Sequence, residues 1–133
     1  RVLGPNLVGY MDMTGSGNET AAHIVNDGRL TIMFNSYTRN PLILRLYGQG
    51  RVAKYNSEVF NQYKNQFEIH ISTRQIILMD IESIQESCGY GVPEMELIKQ
   101  RDTLSKWGDA KGRETVLQYQ DENNRKSIDG FKS

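Results

Sequence analysis

Cysteine is nearly missing from this chain: Cys88 is the only one in 133 residues. A lone thiol excludes an internal disulfide framework and fits a reducing compartment. Histidine is almost as scarce. His23 and His70, even with Cys88 added, are too few to compose a zinc site, and no metal-ligand spacing exists. Net charge is absent too. Sixteen basic residues balance sixteen acidic ones, which gives no support for a nucleic-acid footprint or an anionic membrane surface. No apolar run approaches the length of a transmembrane helix, and no signal peptide is visible. Together these absences predict a cytoplasmic protein with neither nucleic acid nor membrane as partner. No G-x-S-x-G elbow is present.

What is there suggests one domain over residues 1–133, large enough to bury a core. The chain is organised around Met13-Thr14-Gly15-Ser16-Gly17-Asn18-Glu19-Thr20-Ala21-Ala22-His23. Residues 8–13 read as a strand, and 21–25 as a short helix closed by Asn26-Asp27-Gly28. Gly28 is suited to a left-handed cap. A small-residue turn before a helix start can hold an anion, because peptide N–H groups point outward and the helix dipole favours negative charge. Asn18 or Ser16 is placed to cap, with Glu19 in the first turn. The alternative is a well-capped helix with a flexible lead-in. There is no Lys after the glycines, so the turn is not a P-loop, and its spacing is not that of a dinucleotide fingerprint.

Further strands are expected over 29–35 and 42–55, the second interrupted by Gly48 and Gly50, which suggest a bulge or barrel corner. Ser57 can cap a helix reaching Phe67. Residues 69–84 hold another long strand, nearly continuously apolar over 75–81 and so buried on both faces. Residues 87–93 form a Gly-rich loop. From Met95 the pattern becomes helical, with Met95, Ile98, Leu104 and Trp107 on one stripe, then a second helix over 113–125 and a polar tail. Residues 94–133 thus form a C-terminal helical part. The fold class expected is mixed β/α, mainly β: a small coiled antiparallel barrel with peripheral and C-terminal helices. The chain opens abruptly on Arg1-Val2-Leu3, inside an apolar pattern, and the expectation is that residues lie upstream.

Few side chains stand out as chemical. His23 reads as a partly buried structural residue, His70 as a strand surface residue, and Cys88 as a plain buried thiol. Asp12, Glu19, Asp80 and Glu82 are scattered and cannot be paired from sequence. Arg45 sits among apolar strand neighbours, so it either has an anionic or aromatic partner or faces solvent. Arg74 presents a similar but weaker case.

Several stretches together carry a family resemblance: residues 10–23 (YMDMTGSGNETAAH), 26–34 (NDGRLTIMF), 43–52 (ILRLYGQGRV) and 87–93 (SCGYGVP). In the same order along nearly the whole chain, they resemble the pyridoxamine 5′-phosphate oxidase-like family. The tail Ser127-Ile128-Asp129-Gly130 fits one subgroup. The resemblance implies an FMN-binding split β-barrel, a homodimer, and two flavins in clefts shared by the subunits. It also implies that early strands of the barrel lie upstream of Arg1.

By the same resemblance, the turn receives the FMN phosphate. Asn18, Glu19 and Thr20 stand where the oxidases carry Ser-Arg-Lys, whose basic pair grips that phosphate. The grip here would fall to Thr14, Ser16, Gly17, Asn18 and Thr20. Arg45 stands where the oxidases present a glutamine to the flavin from the neighbouring subunit. Ser87, Cys88, Gly89 and Tyr90 fall near the tryptophan that closes over the ring. The oxidases' Arg-x-His substrate pair is not found after Gly91, which argues against oxidation of pyridoxamine phosphate itself. Two readings stay open: a flavin-dependent oxidoreductase on a small molecule, or a non-enzymatic flavin carrier or degenerate member acting as a dimeric binding protein.

Overall fold

The computed structural model describes residues 1–133. Its centre is a single five-stranded sheet, antiparallel throughout, in the order β1-β2-β5-β4-β3. The strands are β1 (Val2–Gly4), β2 (Leu7–Met13), β3 (Arg29–Asn35), β4 (Ile43–Lys54) and β5 (Thr73–Ser87). Helix α1 (Asn18–Asp27) follows β2, α2 (Glu58–Tyr63) follows β4 and runs into a 3-10 turn at Lys64–Gln66, and α3 (Thr103–Asn123) follows β5.

Strand β5 is the axis of the sheet, pairing with β2 on one side and β4 on the other. Its first half is sandwiched. Ile76 and Leu78 pack with Ala53 and Phe60 beneath α2, while Ile77 packs with Ala21 and Ile24 of α1 on the opposite face. That explains the unbroken apolar run: burial on both faces demands it. Each such side chain contributes about 1.5–3 kcal/mol by leaving water.

The glycines of β4 mark two different needs. At Gly50 a Cβ would stand 2.9 Å from Ile24 Cδ1, so its absence lets α1 lie close on the sheet. At Gly48 a Cβ would collide with the Asp80 carbonyl oxygen. The register shifts there: Gly48 pairs with Ile81 and Tyr47 with Ser83, leaving Glu82 as the extra residue of a bulge. The bulge expected from the glycines is present, with its inserted residue in the facing strand.

Closure into a barrel is not made by strand pairing. Both β1 and β3 have one neighbour and are edges. The sheet nevertheless curls, since residues of β1 and β2 on one side and β3 and β4 on the other wall one cavity of about 730 Å³. Val8, Tyr10, Ile32, Leu46 and Ile84 are among its mostly apolar lining.

Other expectations need correction. Strand β5 begins at Thr73 rather than near residue 69, and runs on to Ser87. His70 therefore lies in a turn, not on a strand surface. Its Nδ1 accepts from the Ser72 N–H, and its Nε2 lies 3.2 Å from Asp109 Oδ1. Residues 94–102 are not helical. Met95, Leu97 and Ile98 are exposed there, and a helix with no face to bury has little to hold it. The helix starts at Thr103 and is broken at Gly112, whose φ of 76° is non-helical. Its second part matches the expected helix over 113–125. Arg113 secures it, donating to the Ile71 and Thr73 carbonyls. The polar tail is tied to α1, as described below. No helix is long and apolar enough to cross a membrane.

Candidate functional site

The turn between β2 and α1 sits on a buried ion pair. Asp12 Oδ2 accepts from Arg74 Nε at 3.0 Å, from Arg74 Nη2 at 2.7 Å and from Gln75 Nε2 at 2.7 Å. Arg74 Nη1 then donates to the Gly15 carbonyl at 3.0 Å, so the cation ties the turn to β5. Removal of these charges from water is costly, and the full set of hydrogen bonds offsets it. Gly17 is required above the pair, because any Cβ there would collide with Asp12 Oδ1. Of the two strand arginines, Arg74 thus has the stronger anionic partner, the reverse of the sequence expectation.

Tyr10 lies next to this network. Burial pushes its phenol above the ordinary value, the nearby Asp12 charge adds to that, and a hydrogen bond with Thr20 and the charge of Arg74 oppose it.

Helix α1 is capped differently from expectation. Gly17 is the N-cap and no side chain caps the helix. Asn18 is instead the first helical residue, buried, with Nδ2 donating to the Lys126 carbonyl at 2.8 Å. At the other end Gly28 takes the expected left-handed conformation, φ 79°, and donates to the Ile24 carbonyl. Within the turn, Thr14 is buried. Its Oγ1 donates to the Ser72 carbonyl and accepts from Gln120 Nε2. Ser16 is exposed, and the peptide N–H groups of Ser16 and Gly17 donate to nothing in the chain. Glu19, the acid where the resemblance expects a base, accepts the Ile128 N–H with both carboxylate oxygens, 3.1 Å each.

The second group of candidate residues lies elsewhere. Arg45, on β4 opposite Gln85, donates from Nη1 to Ser87 Oγ at 3.1 Å. Beyond Ser87, Cys88 is exposed, not buried as expected, because the chain leaves the sheet there. Gly89 packs against Leu42, where a Cβ would lie 2.6 Å from the Leu42 nitrogen, and Tyr90 projects into solvent. The turn lies beside the start of β5 and this group at its end. Fourteen residues at about 3.3 Å each amount to roughly 46 Å of strand between them. One chain therefore does not bring Thr14, Ser16, Gly17, Asn18 and Thr20 together with Arg45, Ser87, Cys88, Gly89 and Tyr90. No cluster of three or more metal-ligating side chains exists.

Sequence reasoning missed Asp12 as a partner for Arg74, and it missed the part played by 120–133. Both are contacts between residues remote in sequence. The one signal available was the composition of the tail, whose Ser127, Asp129 and Gly130 are turn formers.

No protein-family model matches the chain. Among curated proteins, it is similar to pyridoxamine 5′-phosphate oxidase family protein ustO of Aspergillus flavus, with 34% identity over 145 residues. The match covers 98% of this chain and 58% of that protein, so the chain spans little more than half the length of this relative. Such identity carried along almost the whole chain supports its kinship with the pyridoxamine 5′-phosphate oxidase-like family.

Proposed function

We infer that the chain is an FMN-binding member of that family, one protomer of a split-barrel homodimer, serving as a flavin-dependent oxidoreductase on a small molecule. The observation that carries this reading is the separation of the two candidate groups along β5. A shared cleft in a dimer is the arrangement that would let a turn from one copy face Arg45 from another. The exposed apolar side chains Met33, Phe34, Leu42 and Ile84, near the Arg45 end of the sheet, give such a dimer surface to bury.

The turn suits a phosphate. Ser16 is exposed, the N–H groups of Ser16 and Gly17 are free, and both precede the ten-residue helix α1. Ser16, Gly17 and Thr20 would hold the anion, while Arg74, locked to Asp12, keeps the turn in shape. Arg45 from the second copy is the cation available to steady negative charge near the ring, and Tyr90 the aromatic available to cover it. Bound flavin supplies the hydride chemistry, which agrees with the lack of a protein nucleophile. The missing Arg-x-His pair points to a substrate other than pyridoxamine phosphate.

A second reading, a non-enzymatic carrier or a degenerate member working through its dimer surface, is favoured by one observation. Glu19 replaces a base, and three of the five candidate phosphate ligands, Thr14, Asn18 and Thr20, already engage their side chains within the chain. The visible spectrum separates the readings. Flavin absorbance that survives desalting, or that appears when FMN is added, supports the first. A colourless protein that takes up no added FMN overturns it.

A further inference from the structure

The segment 124–133 forms a compact knob that lies on the candidate phosphate turn. Lys126 and Lys132 form a bridge, Ser127 N–H donates to the Phe131 carbonyl, and Gly130, at φ 85°, closes the loop by donating to the Ser127 carbonyl. Ser127 is buried and its Oγ accepts from the Phe131 N–H. The knob is thus preformed by its own hydrogen bonds, and its outer contacts run to the turn and α1, with further ties from Lys54 of β4 to the Ser133 carbonyl and from Arg125 to Asp121 of α3.

Those contacts have a chemical character. Asn124 Oδ1 accepts from the Gly15 N–H at 3.2 Å, and the Lys126 carbonyl accepts from Asn18 Nδ2 at 2.8 Å. The tail therefore offers oxygen acceptors to the turn's donors, as a phosphate would. In return the Ile128 N–H donates to both oxygens of Glu19. Asp129 Oδ2 lies 3.1 Å from His23 Nε2, and Phe131 meets the edge of the same imidazole at a centroid distance of 5.4 Å. Glu19 and His23 are one helical turn apart on α1, so a single face of the helix anchors the tail.

We propose that residues 124–133 are an internal strap: it holds the Gly15 N–H and Asn18 Nδ2, two donors of the turn beyond the free N–H groups of Ser16 and Gly17, so that a phosphate drawing on the whole turn must release it. The inference rests on the flavin reading above, with FMN as the ligand. It gives Glu19 a role that charge alone does not: the acid holds the strap rather than the ligand. With the donors shared, the affinity observed for FMN is reduced in proportion to the time the strap is docked.

The test uses the whole chain. Ile128→Pro removes the N–H that Glu19 accepts and leaves every charge in place; Ile128 itself is exposed. FMN is titrated by quenching of its fluorescence, and in the wild type and Asp129→Ala hydrogen exchange is followed at the Ile128 amide, which donates across to Glu19. Saturating FMN is expected to speed exchange at that amide about tenfold, whereas riboflavin, which lacks the phosphate, leaves it unchanged. Ile128→Pro is expected to tighten FMN about tenfold by removing a competitor. Asp129→Ala, which breaks only the exposed His23 link, should tighten it severalfold and guards against a folding defect in the proline variant. Saturation with FMN at unchanged tail exchange, or equal affinity in the wild type and both variants, overturns the strap and leaves the flavin reading standing. Absence of FMN binding in all three overturns both.

Discussion

The two halves of β5 are one strand with two different fates. From Thr73 to Met79 it lies between α1 and α2, and Ile76, Ile77, Leu78 and Met79 are essentially without solvent contact. From Ile81 to Ser87 no residue is buried, both faces see solvent, and Ile84 is 61% exposed. The first half builds the protomer: helices dock on it, and the Asp12–Arg74 pair fixes the turn beside it. The second half, with Arg45 and Ser87 at its end, is left uncovered by this chain's own elements. Stability and the candidate contact surface are thus segregated along a single strand.

Substitutions in the two halves should therefore differ sharply. The largest effect is expected from Arg74→Ala, which leaves the Asp12 carboxylate buried beside Gln75 alone and should cost about 3–5 kcal/mol in urea denaturation. A loss below about 1 kcal/mol would mean that the pair is not what fixes the turn. Ile77→Ala should cost about 3 kcal/mol by the same measurement, since it opens a cavity between α1 and the sheet.

Tyr10 provides a smaller, pH-dependent contrast. Its phenol is raised in the folded state by burial, so the unfolded chain ionises first, at the ordinary value of 10.0. The stability contributed by the neutral phenol is complete below that pH and declines as pH rises toward the folded value. Tyr10→Phe should flatten the alkaline fall in melting temperature; an unchanged alkaline limb would sink the assignment.

In the lower half, Arg45→Ala and Ile84→Ala should each change protomer stability by no more than about 0.5 kcal/mol. If Arg45 reaches the flavin of a second copy, its replacement should weaken FMN binding all the same. Unaltered FMN affinity together with unaltered reduction by NAD(P)H would remove Arg45 from the site.

Much of this architecture was legible in the sequence. The β-branched run of β3, the glycine-interrupted β4 and the Ser57 cap of α2 are local signals, and each appears where periodicity and turn chemistry put it. The family resemblance was legible too, and the identity to a curated relative supports it. The false helix over 94–102 shows the limit of periodicity. Met95 and Ile98 have helical spacing, yet no surface lies opposite them. The candidate site was less legible, because its decisive contacts are long-range. Asp12 meets Arg74 across 62 positions, and Glu19 meets Ile128 across 109. Nothing local in a carboxylate says which distant donor it will meet.

The bulge at Glu82 has a consequence for the parity of β5. Ile77, Met79 and Ile81 occupy odd positions on one face; after the extra residue, Ile84 takes that face, paired with Leu46 beside the curled cavity. The three-residue step from Ile81 to Ile84 records the switch in the sequence itself. Deleting Glu82 would remove the bulge and leave Ile84 on the same face, whereas pairing Glu82 in register, in strict alternation, would turn Ser83 and Gln85 inward in place of Ile84. A single residue held out of register thus acts as the frame-shift that keeps the cavity greasy.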